Sequence, residues 1–286
     1  MSKQVLALLP VAPAFINWRG HSLAFYRTGT GRPVLLIHSI NAAASAFEMR
    51  GPFSGLGDGF AVHALDLLGY GNSDRPDRRY AAEDYIDQIG VALAAIGEPV
   101  DLVASSLGAA YAAEAAARWP ERVRRLVLAC PTGMGQLSSS SGSVGWALYR
   151  ILHGPVGRVI FRLLTSRRGI RLFLGRQAYY DTSVMTEEVL ASFYYASRCP
   201  GAYYAPICFL TGLLNHDLSR SFAGLRQPVL LIWGRYATTT PVSSAYPFLA
   251  ANPRARLEVI EQAAMLVQDE QPAEFNQLVR DFLLAE

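Results

Sequence analysis

The stretch from Asp101 to Arg118 constrains the fold most strongly, because it joins a short apolar run to an alanine-rich helical pattern through a very tight turn. The turn reads Ala104-Ser105-Ser106-Leu107-Gly108. Small residues around a central serine are typical of a strained strand-to-helix turn that presents the serine hydroxyl as a nucleophile. Ser and Gly are also ordinary residues at the start of a helix, so this turn taken alone leaves that simpler interpretation open.

Apolar runs and helical patterns alternate along most of the 286 residues. A near-continuous apolar run predicts a strand that is buried on both faces, and such strands joined by helices form parallel sheets. The predicted strands are Phe15–Trp18, His21–Arg27, Pro33–His38, Ala61–Asp66, Val100–Ser105, Arg125–Cys130, Val229–Trp233 and Arg256–Ile260, and the clearest helices are Tyr80–Ile96 and Pro272–Leu284. We therefore predict an α/β fold with a mostly parallel β-sheet covered by helices on both faces.

Composition excludes several classes of function. The formal net charge of +3 is too small to imply nucleic-acid binding. The five histidines show no metal-binding spacing, and the glycine-rich stretch 55–60 precedes a strand instead of following one, so we expect neither a metal nor another cofactor. No apolar run is long enough to span a bilayer.

Two further features bear on the compartment. Cys130, Cys199 and Cys208 form neither a C-x-x-C motif nor an even set, which predicts free thiols and a cytoplasmic protein. The N-terminal stretch Val5–Phe15 is mildly apolar but contains two prolines. We expect it to be an arm of the domain and not a cleaved targeting segment.

Six segments occur in the order found in α/β-hydrolases, and the chain resembles the esterase, carbon-carbon-bond hydrolase and haloperoxidase group of that superfamily. The matching segments are the strand ending in His38-Ser39, the D-x-x-G-x-G-x-S motif of Asp66–Ser73, the turn at Ser106, Trp119–Val123, Pro228–Gly234 and Glu270–Pro272. The resemblance covers nearly the whole chain and implies the α/β-hydrolase type of sheet with an inserted helical cap.

The resemblance also implies where catalytic residues should lie. Ser106 takes the nucleophile position, and the backbone N–H groups of Ile40 and Leu107 take the oxyanion-hole positions. Ala237 stands where the family has its acid, and Met265 stands where it has its histidine base. Alanine has no polar atom and a thioether cannot carry a proton near neutral pH, so we predict a degenerate catalytic triad.

A shifted alignment does not restore the two missing groups. No acidic residue occurs between Asp217 and Glu258, and no histidine follows His216. A recruited base is the alternative, and His216 is the candidate because it lies near the end of the inserted segment. Four further residues are expected to line a substrate pocket with polar groups: His38, Asn41, Ser105 and Tyr236.

The resemblance divides the chain into a core of residues 1–132 and 227–286 and a helical cap of residues 133–226. Aromatic residues in the cap predict a pocket for a small apolar molecule beneath it. They are Tyr179, Tyr180, Phe193, Tyr194, Tyr195, Tyr203, Tyr204 and Phe209. Arginines alternate with apolar residues between 150 and 176, a pattern that suits either a solvated cationic helix face or peripheral contact with an anionic membrane.

These observations favour a protein of the hydrolase fold that binds a small apolar molecule and does not perform conventional Ser-His-Asp ester hydrolysis. An active esterase-like hydrolase that uses Ser106 with His216 is the second hypothesis. A peripheral membrane protein that uses the arginine-rich cap is the third.

Overall fold

The sheet of this protein has eight strands, as seen in a computed structural model that describes residues 6–139 and 141–285. The strands lie in the order β1-β2-β4-β3-β5-β6-β7-β8, and only the pairs β1–β2 and β2–β4 are antiparallel. Their bounds are β1 Ala14–Trp18, β2 His21–Thr28, β3 Arg32–Ile37, β4 Phe60–Leu65, β5 Val100–Ser105, β6 Val123–Ala129, β7 Val229–Gly234 and β8 Ala255–Ile260. The predicted mostly parallel sheet is confirmed.

Twelve α-helices connect and cover these strands within the described residues. They are α1 Arg50–Gly55, α2 Ala82–Ile96, α3 Ser106–Arg118, α4 Gly142–Leu152, α5 Pro155–Leu164, α6 Arg167–Phe173, α7 Glu187–Arg198, α8 Tyr204–Leu210, α9 Ser219–Ala223, α10 Tyr246–Ala251, α11 Val267–Glu270 and α12 Pro272–Leu284. Helices α1, α11 and α12 pack against one another, and α2 packs against α3. Six helices, α4 to α9, lie between β6 and β7, inside the segment predicted to be the cap.

The central strands form the core because they carry almost no polar side chains that would require water. Every residue of β4, β5 and β7 is buried, which agrees with the continuous apolar runs in the sequence. The N-terminal arm also contributes to the core. Residues 6–13 form no helix or strand, but Leu8 and Leu9 are buried; Val5 lies outside the described residues.

The junction between β5 and α3 requires two unusual backbone features. Ser106 has a positive φ of 52°, which is strained for any residue with a side chain. Gly108 lies so close to the end of β3 that an added Cβ would stand 2.1 Å from the backbone oxygen of His38. The turn therefore brings the N-terminus of α3 directly against the loop that follows β3.

We expect Gly108→Ala to lower the free energy of unfolding by about 2 kcal/mol or more, because the new methyl group overlaps a backbone oxygen that cannot move without shifting β3. Urea denaturation monitored by circular dichroism measures this change. Gly224→Ala is the matched control, since its Cβ would meet atoms only at the ordinary distance of 3.5 Å. Equal stabilities of the two variants would contradict the close packing of α3 on β3.

Candidate active site

Ser106 occupies the position predicted for a nucleophile, at the carboxyl edge of the parallel strands. Its side chain is 7% exposed, and its carbonyl oxygen accepts a hydrogen bond from the Thr132 N–H at 3.3 Å. Leu107 follows in the first turn of α3, where a backbone N–H has no acceptor within the helix. In residues 6–139 and 141–285 no side chain forms a hydrogen bond with the Ser106 hydroxyl.

His38 lies beneath the loop that contains Ile40, the second predicted oxyanion residue. The Leu67 N–H donates to His38 Nε2 at 3.1 Å, so the proton of the neutral ring is on Nδ1, which donates to the Ser39 oxygen at 2.6 Å. Burial lowers the pKa of His38 and keeps the ring neutral. Both nitrogens bind the backbone, so His38 orients this loop, and it is not among the residues that line the cavity described below.

Glu48 supports the same loop and was not identified in the sequence analysis. Its carboxylate is fully buried and accepts hydrogen bonds from the Ser39 N–H at 3.0 Å and from Asn41 Nδ2 at 2.6 Å. Burial raises the pKa of Glu48 to about 7, although these two donors oppose the shift. Because Ser39 and Asn41 flank Ile40, Glu48 fixes the direction of the Ile40 backbone.

The structure brings together the two loops that contain Ala237 and Met265, the residues predicted to stand at the acid and base positions. The Tyr236 N–H donates to the Ala263 oxygen at 2.9 Å, and Thr239 Oγ1 donates to Met265 Sδ at 3.4 Å. Ala237 and Met265 are both buried. Met265 packs in an apolar cluster that includes residues of α6 and α7, so its position is filled by hydrocarbon.

His216, the predicted substitute base, contacts the outer part of α3. Its Nε2 lies 3.3 Å from Glu114 Oε2, and this contact is the main reason that the pKa of Glu114 is lowered to about 2. Glu114 follows Ser106 by eight residues, which is about 12 Å along a helix. The Ser106 hydroxyl is not among the hydrogen-bond partners of His216 in the described part of the chain.

The main cavity near these loops has a volume of about 600 Å³, which is within the range of small-molecule sites. It lies between the loop after β3 and the inserted helices. Its lining is Asn41, Ala42, Ala43, Leu163, Leu164, Thr165, Gly169, Ile170, Leu172, Phe173, Arg176, Gln177, Phe193, Phe209 and Leu210. Ser106 is not part of this lining. The cavity begins beside the loop that follows β3 and extends beneath the inserted segment.

The predicted pocket residues divide between the cavity and other places. Asn41 lines the cavity, whereas Ser105 is fully buried in β5 and its hydroxyl has no partner among the described residues. Tyr236 is on the surface and stacks on Tyr180 with ring centroids 4.1 Å apart. Ser105 and Tyr236 therefore do not form part of the cavity wall.

A hydrogen bond that the sequence did not reveal joins Tyr179 of the inserted segment to a partly buried ion pair of the core. Arg50 Nη1 lies 2.8 Å from Asp269 Oδ1, and the Tyr179 hydroxyl donates to the other carboxylate oxygen. Burial raises the pKa of Asp269 to about 6, and Arg50 opposes this shift. The backbone provides a second link, because the Leu266 N–H donates to the Ala178 oxygen at 3.0 Å. Residues 266–269, which follow Met265, are therefore held by Arg50 of the core and by Ala178 and Tyr179 of the inserted segment.

Within the described residues, no group of three or more His, Cys, Asp or Glu side chains could hold a metal ion. Nor does any described helix have the length and apolar character that crossing a membrane requires.

The mostly parallel sheet and the strained serine turn between β5 and α3 together define an α/β-hydrolase fold. The sequence model of the alpha/beta hydrolase family matches residues 34–278, and the chain belongs to this family.

Several relatives with stated activities are named as hydrolases, and one is named as a decarboxylase. The chain is 29% identical over 267 residues to the 2-hydroxymuconate semialdehyde hydrolase of Pseudomonas sp. strain CF600, which covers 90% of this chain and 88% of that protein. It is 28% identical over 286 residues to an uncharacterised protein of Mycobacterium tuberculosis, with 96% and 82% covered. The meta-cleavage product hydrolase of Pseudomonas fluorescens IP01 superposes with a TM-score of 0.75 at 26% identity, with 95% and 97% covered.

The raised pKa of Glu48 predicts how wild-type protein and Glu48→Gln should differ with pH. Glu48 loses its proton near pH 4.5 in the unfolded protein but only near pH 7 in the folded protein. The protonated form of Glu48 therefore stabilises the folded state at low pH, and this contribution is lost as the pH rises to the folded-state pKa. Between pH 4.5 and 8 the stability of the wild type relative to the variant should fall by about 3 kcal/mol. Urea denaturation of both proteins across this range measures the difference; a constant difference would contradict the assignment.

Proposed function

We propose that this member of the α/β-hydrolase family binds a small apolar molecule beneath its inserted segment and does not hydrolyse esters through a Ser-His-Asp triad. The observation that carries the proposal is the pair of adjacent loops in which Ala237 and Met265 replace the acid and the base. Ser106 is retained at the turn, but a serine hydroxyl without a proton acceptor is a weak nucleophile.

The packing around the vacant positions supports this proposal. The Ala264 N–H donates to Glu270 Oε2 at 2.7 Å, and Met265 lies in an apolar cluster with Leu266 and Phe193. A lone buried aspartate at position 237 would lose hydration without gaining a histidine partner, which costs several kcal/mol. The two apolar replacements are therefore consistent with each other, as expected for a site that no longer transfers protons.

The lining of the cavity supports an apolar ligand. Leucine, isoleucine and phenylalanine side chains from α5, α6, α7 and α8 form most of the wall. Polar groups are few and come from Asn41, Thr165, Arg176 and Gln177. Sites of this kind gain most of their affinity from burial of hydrocarbon, and the few polar groups set the orientation of the ligand.

Replacing Ala237 and Met265 by the family's acid and base tests whether Ser106 is unreactive only because it has no proton acceptor. We expect wild-type protein to react slowly with a fluorophosphonate probe and the double variant Ala237→Asp with Met265→His to react at least about a hundredfold faster, because a base activates the serine. Gel-based labelling and p-nitrophenyl acetate hydrolysis measure the gain. Each single variant and a triple variant that adds Ser106→Ala are the controls.

Rapid labelling of the wild type at Ser106 would contradict the proposal. If His216→Ala abolished that labelling, the protein would instead be a hydrolase with a recruited base. A double variant that folds but gains no reactivity would show that positions 237 and 265 are not the family's acid and base positions.

Filling the cavity tests the binding site independently of Ser106. Ala42 is partly exposed and lines the cavity, so Ala42→Phe places a ring in the ligand volume without disturbing the sheet. We expect this variant to weaken binding of the apolar fluorophore 1-anilinonaphthalene-8-sulfonate about tenfold or more. Ala95→Phe, at an exposed position of α2, is the matched control. Equal binding by both variants would exclude this cavity.

A further inference from the structure

Helix α5 directs its apolar stripe toward solvent. Val156, Val159, Ile160 and Leu163 recur at the spacing that places residues on one face of a helix, and they are 56%, 58%, 36% and 67% exposed. The side that packs on the protein is different and consists of Gly157 and Phe161. An amphipathic helix of a globular protein normally buries such a stripe, so this one is available to another apolar phase.

The exposed stripe continues around the mouth of the cavity. Leu164, Leu172 and Leu210 are 48%, 54% and 43% exposed, and together with Leu163 they also line the cavity. We call the set Val156, Val159, Ile160, Leu163, Leu164, Leu172 and Leu210 the cap apolar face. This face is continuous because Leu163 belongs both to the stripe of α5 and to the rim of the cavity.

The inserted segment that carries the cap apolar face also carries arginines without a partner among the described residues. Arg150, Arg162, Arg168 and Arg176 are exposed, and within residues 6–139 and 141–285 their guanidinium groups form no ion pair or hydrogen bond. No acidic residue occurs between Arg122 and Tyr180. Arg168 and Arg176 line a shallow depression together with Leu172, so cationic and apolar groups share one surface.

We propose that the cap apolar face docks on the surface of a bilayer that contains anionic phospholipids. The aliphatic stripe of α5 enters the boundary between headgroups and acyl chains, and the arginines remain at headgroup level, where they contact phosphate. The stripe suits lipid better than a protein partner. It has no aromatic anchor, and a protein interface would dehydrate four unpaired charges.

Docking in this orientation turns the mouth of the cavity toward the acyl chains. An apolar molecule dissolved in the bilayer then enters the cavity past Leu163 and Leu172 without crossing water. This consequence rests on the proposed function, whereas docking itself requires only the outer surface.

Vesicle co-sedimentation tests the docking. We expect wild-type protein to bind vesicles of phosphatidylcholine mixed with phosphatidylglycerol and to bind pure phosphatidylcholine weakly. The double variant Val156→Asn with Val159→Asn should reduce binding about tenfold or more, because two exposed aliphatic side chains no longer enter the lipid. Arg162→Gln with Arg168→Gln should reduce binding about 25-fold, at about fivefold for each lost charge.

Matched controls separate these effects from general changes of the surface. Leu284→Asn removes an exposed leucine of α12, and Arg254→Gln with Arg256→Gln removes two exposed charges outside the inserted segment. Both should bind as the wild type does. Ala42→Phe should also bind vesicles normally even if it has lost the fluorophore, so failure of the ligand site and failure of docking are distinguishable.

Three results would overturn the proposal. In the first, the wild type does not sediment with anionic vesicles. In the second, vesicle binding survives both in Val156→Asn with Val159→Asn and in Arg162→Gln with Arg168→Gln. In the third, the control variants lose vesicle binding to the same extent. Light scattering could instead detect a dimer that does not bind vesicles. If Val156→Asn with Val159→Asn dissociated that dimer, the cap apolar face would be assigned to contact with a second copy of the chain.

Discussion

The contact of α3 with the end of β3 is the constraint on which the rest of the site depends. Gly108 has no side chain, so the helix can start against the carbonyl group of His38. At the start of this helix, Ser106 has a positive φ of 52°. Ten of the thirteen residues of α3 are buried, and the turn is therefore needed for the core whether or not its serine reacts. A structural requirement of this kind would preserve the serine turn even in a protein that does not use the serine for catalysis, as we propose here.

Buried charge follows one rule in this protein. Glu48 and Asp269 remain in the interior because hydrogen-bond donors or an arginine contact each carboxylate. Ala237 and Met265 are also buried, and neither side chain carries a charge. Burying a carboxylate destabilises the folded protein unless hydrogen-bond donors or a cation offset the free energy of lost hydration. The same rule thus explains the buried carboxylates that are present, and it is consistent with our proposal that Ala237 occupies the family's acid position.

The inserted helices have two surfaces with related chemistry. Their inner surface closes an apolar cavity, and their outer surface carries the cap apolar face with its arginines. Leu163 and Leu172 belong to both surfaces, so the cavity and the exposed patch meet at one rim. The Tyr179–Asp269 hydrogen bond holds the base of this segment to the core. A cavity that opens at an apolar surface suits the proposed ligand, a small apolar molecule with low solubility in water.

Local sequence patterns determined the strands and the serine turn, because each depends on neighbouring residues or on chain order. The buried apolar runs give the parallel sheet, and Ser106 lies at the predicted turn. Only the tertiary structure showed that Arg50 meets Asp269 and that His216 contacts Glu114, since these partners are distant in sequence and carry no shared pattern. Helix α5 illustrates the limit most clearly. Periodicity identifies residues that share a face, but which face packs on the protein is decided by contacts with other elements, and here the apolar stripe faces outward.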